Sequence, residues 1–196
     1  MINSRGFTLV ELVVVVAIFA FMTTIVISNY GSFRNQSDLS DLSYQLALTI
    51  REAQSYGISA QAFDGSFDTP YGIYISSDNP TALYLFADAN LDRQYEANEL
   101  VSLFSLNNGN SIMDFSVTNG GQTWSQSGGS LSSLYIFFKR PNPDACIMTN
   151  LDENDCQIVG DSLVGGYQGA TIILRDQNGD TNSISINSTG QVSISD

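Results

Sequence analysis

Six residues with oxygen-bearing side chains stand two or three positions apart between positions 88 and 99. They occupy positions 1, 3, 5, 7, 9 and 12 of a twelve-residue window and are Asp88, Asn90, Asp92, Gln94, Glu96 and Glu99. Calcium takes about six to eight oxygen ligands, and an EF-hand loop supplies them at this spacing, with a bidentate acid in last place. The window therefore predicts a calcium-binding loop in which these six residues would be the ligands.

Two features of the same window depart from a true EF-hand. The sharp turn at position 6 normally requires glycine, which adopts a left-handed backbone at little cost, but this chain has Arg93 there. The flanking segments have the composition of strands and not of helices. The alternative is a solvated acidic turn whose Asp and Asn side chains bond the nearby backbone. The sequence leaves both interpretations open and predicts no other cofactor.

Cys146 and Cys156 are the only two cysteines, and they stand ten residues apart. In an exported domain such a pair predicts a disulfide, because the oxidising compartment favours bond formation. The alternative is a metal-binding thiol pair. Two thiols in a chain without histidine are, however, too few ligands for a zinc site.

The composition argues against several classes of function. The chain has 20 acidic and 7 basic residues and no histidine, which gives a formal net charge of −13. Because an acidic surface repels phosphate, nucleic-acid binding is not expected. The absence of histidine removes the commonest general base, and no nucleophile–base pair or phosphate-binding loop stands out. We therefore predict no catalytic residues and a protein that is not an enzyme.

A single acid, Glu11, precedes an unbroken apolar run from Leu12 to Met22. The surrounding segment, residues 7–28, is long enough to span a membrane. A carboxylate within hydrocarbon costs about 2.5–3.5 kcal/mol on insertion scales, so Glu11 must find a partner or take up a proton. Arg5 on the N-terminal side favours a single-pass protein of the cytoplasmic membrane, with its head outside the cytoplasm.

Gly6, Phe7 and Glu11, at the entry to this apolar segment, resemble the class III signal of type IV pilins and pseudopilins. The resemblance implies that a prepilin peptidase/methyltransferase removes residues 1–6 as a leader and methylates Phe7, the new N-terminus. It also implies that Glu11 pairs with the amine of Phe7 on a neighbouring subunit. Other pilin or pseudopilin subunits and a membrane assembly platform are the implied partners, in a filament outside the cytoplasm that is either extracellular or periplasmic.

Beyond the membrane segment, apolar residues return at helical spacing within positions 29–57. They lie mostly three or four positions apart and are Leu39, Leu42, Leu46, Ala47, Ile50 and Ala53. This pattern predicts the amphipathic half of one long helix, which begins at Phe7 and stops at Gly57. Over 58–196, short β-branched and aromatic runs alternate with turn residues, and Asn178–Gly179 predicts a hairpin. The predicted fold class is α+β, a spine helix packed on an antiparallel β domain of two sheets.

Three short segments resemble H-type pseudopilins and FimT-like minor pilins, namely Leu48–Ser55, Leu85–Asp92 and Asn187–Val192. The resemblance implies a minor pilin or pseudopilin that helps to initiate or cap assembly. Gln191 stands where some relatives carry a basic residue for DNA uptake, and this departure counts against DNA binding. A major pilin that forms the filament body is the alternative. A second alternative is a membrane-tethered binding module, either an adhesin or a calcium-responsive protein.

Overall fold

The computed structural model describes residues 7–59, 61–151, 155–159 and 162–195. The predicted leader, residues 1–6 with Gly6, lies outside the described residues. One α-helix, α1 (Leu9–Ile58), has 50 residues and a length of about 75 Å. It runs without a break from the predicted membrane segment into the part that packs on the head.

The first part of α1 is apolar on every side. Leu9–Ile27, a stretch of 19 residues, is long and apolar enough to cross a membrane, and none of it is buried against the rest of the chain. A helix that exposes apolar side chains all round is stable only in lipid or against other apolar helices. The length, composition and exposure of this segment fit a bilayer or a bundle of similar helices as its surroundings.

The last part of α1 buries one face against the head. Five of the six apolar residues predicted for this face are buried, and Leu42 is partly buried against them. Gly57 is also buried, and a Cβ atom built on it would lie 2.5 Å from the backbone oxygen of Phe138. The helix continues past Gly57 and ends at Ile58. Gly57 therefore permits close contact between the helix and the sheet, where the sequence suggested a helix stop.

The described residues of the head form twelve strands. The strands are β1 (Tyr71–Ser76), β2 (Ala82–Ala87), β3 (Leu100–Ser105), β4 (Ser111–Asn119), β5 (Gln122–Ser125), β6 (Ser133–Lys139), β7 (Asn142–Thr149), β8 (Cys156–Val159), β9 (Ser162–Gly165), β10 (Gly169–Arg175), β11 (Thr181–Asn187) and β12 (Val192–Ser195). The first sheet has the order β3-β2-β1-β6-β7, the second has the order β12-β11-β10-β4-β5, and β8 pairs with β9. Each named pairing is antiparallel. This architecture confirms the predicted α+β class.

Alternation along the strands builds the core between the two sheets and the helix. Ile73 and Ile75 of β1 are completely buried, as are Ile172 and Leu174 of β10. Residues with a spacing of two share one face of a strand, so each sheet turns an apolar face toward α1 and the opposite sheet. The β10–β11 hairpin turns at Gly179, which has a φ of +95°, as the Asn-Gly signal predicts.

A second and smaller apolar cluster, here called the outer cluster, includes residues of β1, β2, β6 and β7. Its buried members are Phe86, Phe137, Cys146 and Cys156, and its partly buried members are Tyr74, Tyr95, Tyr135 and Met148. Strand register places Tyr74 between Tyr84 and Tyr135. Tyr95 comes from the segment between β2 and β3 and stacks on Tyr74, with ring centroids 5.3 Å apart. Through Tyr95, the cluster attaches the segment between β2 and β3 to the first sheet.

Candidate functional site

Glu11 is hydrogen-bonded to Thr8, the N-cap residue directly before α1. The backbone N–H of Glu11 donates to Thr8 Oγ1 at 3.3 Å, and the N–H and hydroxyl of Thr8 donate to Glu11 Oε2 at 2.9 and 2.7 Å. This reciprocal arrangement is a capping box, which satisfies donors that the first helical turn leaves unpaired. Glu11 Oε1 makes no hydrogen bond to any described residue. The carboxylate can therefore accept a donor from a second chain without losing its cap.

The capping box was not part of the sequence-based prediction, although its signal is present. Thr8-Leu-Val-Glu11 is a Ser/Thr-x-x-Glu signature directly before an apolar helix. Phe7, the predicted new N-terminus, is exposed beside it. The structure thus brings Phe7, Thr8 and Glu11 together at one helix start, where an amine and a carboxylate would both be available to neighbouring chains.

The two cysteines form the predicted disulfide. Cys146 in β7 and Cys156 at the start of β8 are joined by an S–S bond of 2.06 Å. Both residues are buried in the outer cluster, beside Phe86 and Phe137. The bond attaches the β8–β9 hairpin to the first sheet. It also fixes the backbone next to Asp155, whose side chain contacts Arg93.

The acidic loop, residues 88–99, connects β2 to β3 and ends in a 3₁₀ turn at Ala97–Glu99. The structure divides the six predicted cation ligands into two groups. Asp88 and Glu99, the first and the last, are buried, whereas the other four are exposed at the tip of the loop. Within the described part of the chain, no three His, Cys, Asp or Glu side chains gather in an arrangement that could hold a metal ion. The loop as it stands is closed by its own hydrogen bonds.

Glu99 closes the base of the acidic loop. Its Oε1 accepts the backbone N–H groups of Ala89 and Asn90 at 2.9 and 3.4 Å, and its Oε2 accepts that of Glu96 at 3.3 Å. A carboxylate that accepts several backbone donors fixes the two ends of a loop with respect to each other. Glu99 therefore has a structural function whether or not a cation binds.

The tip of the loop is organised by short-range bonds. Asn90 Oδ1 accepts the N–H of Asp92 at 3.0 Å, and Asp92 Oδ1 accepts the N–H of Gln94 at 2.8 Å. The amide nitrogen of Asn90 donates to Asp92 Oδ2 at 3.0 Å and to Glu96 Oε2 at 3.5 Å. These are the turn-forming bonds expected of Asp and Asn. They bring Asn90, Asp92 and Glu96 together, whereas the side chain of Gln94 takes part in none of these bonds.

Asp88 differs from the other predicted ligands in this loop, because one of its carboxylate oxygens is buried without a hydrogen-bond partner. Its side chain is completely buried, Oδ2 accepts the backbone N–H of Arg93 at 3.2 Å, and Oδ1 has no hydrogen-bond partner. Burial raises the pKa of Asp88 from 3.8 to about 6, and the negative charges of Glu99 and Asp92 add to the effect. At neutral pH the protein therefore holds a buried carboxylate whose charge is poorly compensated.

The Asp88→Asn variant should change how stability depends on pH. A folded-state pKa raised above the unfolded value gives stability that is present below pH 3.8 and lost as pH rises to about 6. Since each pKa unit corresponds to about 1.4 kcal/mol, the variant should gain about 2–3 kcal/mol over the wild type across this interval. Unfolding of both proteins, measured in chelator-containing buffer from pH 4 to 7, checks this. A stability difference that stays constant over that range would contradict the prediction.

Arg93 links the acidic loop to the disulfide. It has a φ of +64°, in the left-handed region, and Leu91 has a φ of +62°. Its guanidinium Nη1 lies 2.6 Å from Asp155 Oδ2 and also donates to the backbone oxygen of Cys156. We call these two contacts the Arg93 clamp. Nothing in the local sequence signals the clamp, because Arg93 and Asp155 are 62 positions apart.

Among the comparisons with known proteins, the match to a family model falls on the N-terminal segment of the chain. Residues 1–27 match the family model described as the prokaryotic N-terminal methylation motif. No curated protein and no solved structure matches the chain. The matched segment contains Gly6, Phe7 and Glu11, and it leads into the apolar part of α1. Together with the spine helix packed on two antiparallel sheets, the match supports a type IV pilin-like protein.

Proposed function

We propose that this chain is a structural subunit of a type IV pilus or a type II secretion pseudopilus, where it acts as a minor subunit that helps to initiate or cap assembly. The observation that carries the proposal is the continuity of α1. One helix extends from the capped Glu11 through an apolar segment of 19 residues and onto the core of the head. Such a helix supplies both a membrane anchor before assembly and a filament core after it.

The proposed assembly step depends on charge in a medium of low polarity. A prepilin peptidase/methyltransferase would cut after Gly6, and the amine of Phe7 would then become the new N-terminus. A buried carboxylate without a partner is strongly unfavourable, so an amine from a neighbouring subunit would stabilise docking at Glu11 Oε1. The capping box supports this proposal because it leaves that oxygen open.

The proposed location follows from the same helix. The chain would enter the inner membrane once, with its head in the periplasm, and would pass into a filament through a membrane assembly platform. Nucleic acid is an unfavourable partner for the head. The one adjacent pair of bases, Lys139 and Arg140, is already engaged, since both contact the carboxylate of Asp68 at 2.7 and 3.2 Å. No catalytic role is proposed.

One surface feature favours the second alternative, a membrane-tethered binding module. A groove of about 400 Å³ lies between α1 and the edge strand β12. It is lined by Tyr44, Ala47, Leu48, Arg51, Val192 and Ile194. Tyr44 and Leu48 are exposed there, so the groove offers apolar contact area to another protein. In a filament the same groove would serve a neighbouring subunit, which keeps the subunit proposal first.

Quantitative mass spectrometry of filaments sheared from the native cells tests the proposed function. We expect the chain at trace level beside a more abundant pilin, with its first residue a methylated Phe7. A chain that dominates the preparation would be a major pilin instead. A chain that is processed at Phe7 but stays in the envelope would point to the secretion pseudopilus. A chain that still carries residues 1–6 would contradict the whole proposal.

A further inference from the structure

Asp88 is a buried carboxylate that the chain leaves half satisfied. Its Oδ1 atom has no partner, although the side chain has no exposed surface. Buried polar atoms in folded proteins almost always have a partner in the protein, in water or in an ion. Three more acids, Asp92, Glu96 and Glu99, belong to the same loop, and no Lys or Arg among the described residues forms an ion pair with any of the four. This uncompensated negative charge points to a cation.

Arg93, the one basic residue of the loop, forms its ion pair with a residue outside the loop. The guanidinium of Arg93 is bonded to Asp155 and to the carbonyl of Cys156, while its backbone N–H donates to Asp88. A left-handed backbone is unfavourable for a residue other than glycine. The Arg93 clamp offsets that cost. The missing glycine at position 6 is therefore no obstacle, because the backbone already has the conformation that glycine would allow.

We propose that the acidic loop is a binding site for a divalent cation of the calcium class, with Asp88 as its fixed, buried ligand and the Arg93 clamp as the contact that holds the loop in shape. Oxygen atoms from Asn90, Asp92, Glu96 and Glu99 complete the donor set, as a hard cation requires. The proposed site lies wholly within the head and does not depend on the proposed role in a filament.

Cation binding requires the tip of the loop to exchange hydrogen bonds. The amide of Asn90 lies between the carboxylates of Asp92 and Glu96 and bonds to both, and a divalent cation would attract them more strongly. Glu99 accepts three backbone donors, but an ionised carboxylate offers about four acceptor positions and so retains capacity. Because existing bonds are exchanged, we expect weak binding, with a dissociation constant of about 10⁻⁴–10⁻³ M as in extracellular calcium modules.

Terbium, a luminescent substitute for calcium, and calcium itself are the probes for this site. The processed full-length chain in detergent micelles is titrated with terbium while emission sensitised by the tyrosines of the outer cluster is recorded. We expect saturable emission that calcium displaces at about millimolar concentration. Magnesium should compete less well, because it dehydrates reluctantly and demands near-octahedral ligands.

Two substitutions in the loop and one outside it make this test specific. Asp88→Asn and Asp92→Asn should each weaken terbium and calcium binding about tenfold or more, because each removes a charged ligand while keeping a turn-forming oxygen. Asp78→Asn, at an exposed acid outside the loop, should leave binding unchanged. The proposal is overturned if the wild type shows no saturable binding at several millimolar calcium, or if both loop variants bind like the wild type.

A pair of variants tests the Arg93 clamp. Asp155→Asn removes the ion pair and should weaken calcium binding by about tenfold, the size of effect typical of residues that orient ligands. Adding Arg93→Gly to the Asp155→Asn variant should restore the affinity for calcium, because glycine adopts the left-handed backbone without the clamp. Recovery in the double variant supports the clamp. If Asp155→Asn binds like the wild type, or if the double variant stays weak, this assignment to Arg93 is wrong.

Discussion

Replacing Glu11 with alanine is expected to leave cleavage before Phe7 intact and to remove the chain from filaments. The carboxylate is the only charged group within the apolar part of α1, and the proposed partner is the amine of a neighbouring Phe7. Breaking a buried ion pair by removing one partner costs about 3–5 kcal/mol, which is a factor of about 150–5,000 in an equilibrium. Immunoblots of sheared filaments and of membranes, from cells that carry the variant, measure incorporation and processing separately.

The capping box makes it necessary to separate two functions of Glu11. Its Oε2 atom caps the helix by accepting from Thr8, and its open Oε1 atom is the proposed docking acceptor. Glutamine can replace glutamate in a capping box, so Glu11→Gln keeps the cap and loses the charge. Thr8→Val has nearly the shape of threonine, and it loses the hydroxyl half of the cap while keeping the charge.

These two variants should therefore give opposite results. If docking depends on the carboxylate charge, Glu11→Gln is excluded from filaments and Thr8→Val is incorporated. If the helix cap is what matters, Thr8→Val is defective and Glu11→Gln assembles. If Glu11 instead takes up a proton in the membrane, the glutamine variant, which resembles the protonated acid, assembles normally. In the last two cases the pairing of Glu11 with the Phe7 amine is refuted.

The helix and the strands could be predicted because buried apolar residues recur along them at regular spacing. The spacing of Leu39, Leu46 and Ile50 identified the buried face of α1, and each of the three side chains is almost completely buried. The Asn178–Gly179 turn and the disulfide were likewise predictable, because each depends on a few neighbouring residues or on a residue count. In these cases one local physical requirement determines the outcome.

The contacts that shape the candidate cation site join distant segments, and no local pattern encodes them. The sequence marked Arg93 as an unfavourable residue for a sharp turn, but Arg93 adopts the left-handed backbone, and the carboxylate of Asp155 that contacts its side chain is far along the chain. In the sequence, nothing distinguishes Tyr95 from any other aromatic residue in a loop. Only the fold shows that its ring stacks on that of Tyr74 in β1. The sequence could therefore name the six candidate ligands, whereas it could not indicate which would be buried, or that Asp88 would lack a partner.

Gly57→Ala should destabilise the head, although the same change stabilises most helices. In an exposed helix interior, alanine gains about 1 kcal/mol over glycine. Here the new Cβ would lie 2.5 Å from the oxygen and 2.8 Å from the carbonyl carbon of Phe138, both backbone atoms of β6 that cannot rotate away. Overpacking of this kind costs about 1–3 kcal/mol and occasionally more. It should also strain the bond from Arg140 N–H to the Gly57 carbonyl, now 2.9 Å.

The clash should outweigh the gain in helix propensity, so we expect a net loss of about 1–2 kcal/mol and a melting temperature lower by about 2–8 °C. Thermal unfolding of the full-length chain in detergent micelles, followed by near-ultraviolet circular dichroism, measures the shift. Ser55→Ala, at an exposed position of the same helical turn, is the matched control and should be neutral or slightly stabilising. If Gly57→Ala melts at or above the wild-type temperature, the prediction is wrong, and the backbone of β6 at Phe138 must move to make room for the new Cβ.

The position of Gly57 connects this stability effect to the proposed function. α1 is at once the predicted membrane segment and the element on which both sheets pack, so any force between a filament core and the head passes through the last turns of the helix. Loosening that contact should leave the N-terminal segment untouched, and cleavage before Phe7 should continue at the wild-type rate. Filament incorporation should fall only as far as the folded fraction falls. A larger deficit in assembly than in folding would mean that the helix–sheet contact at Gly57 itself transmits the geometry that docking requires.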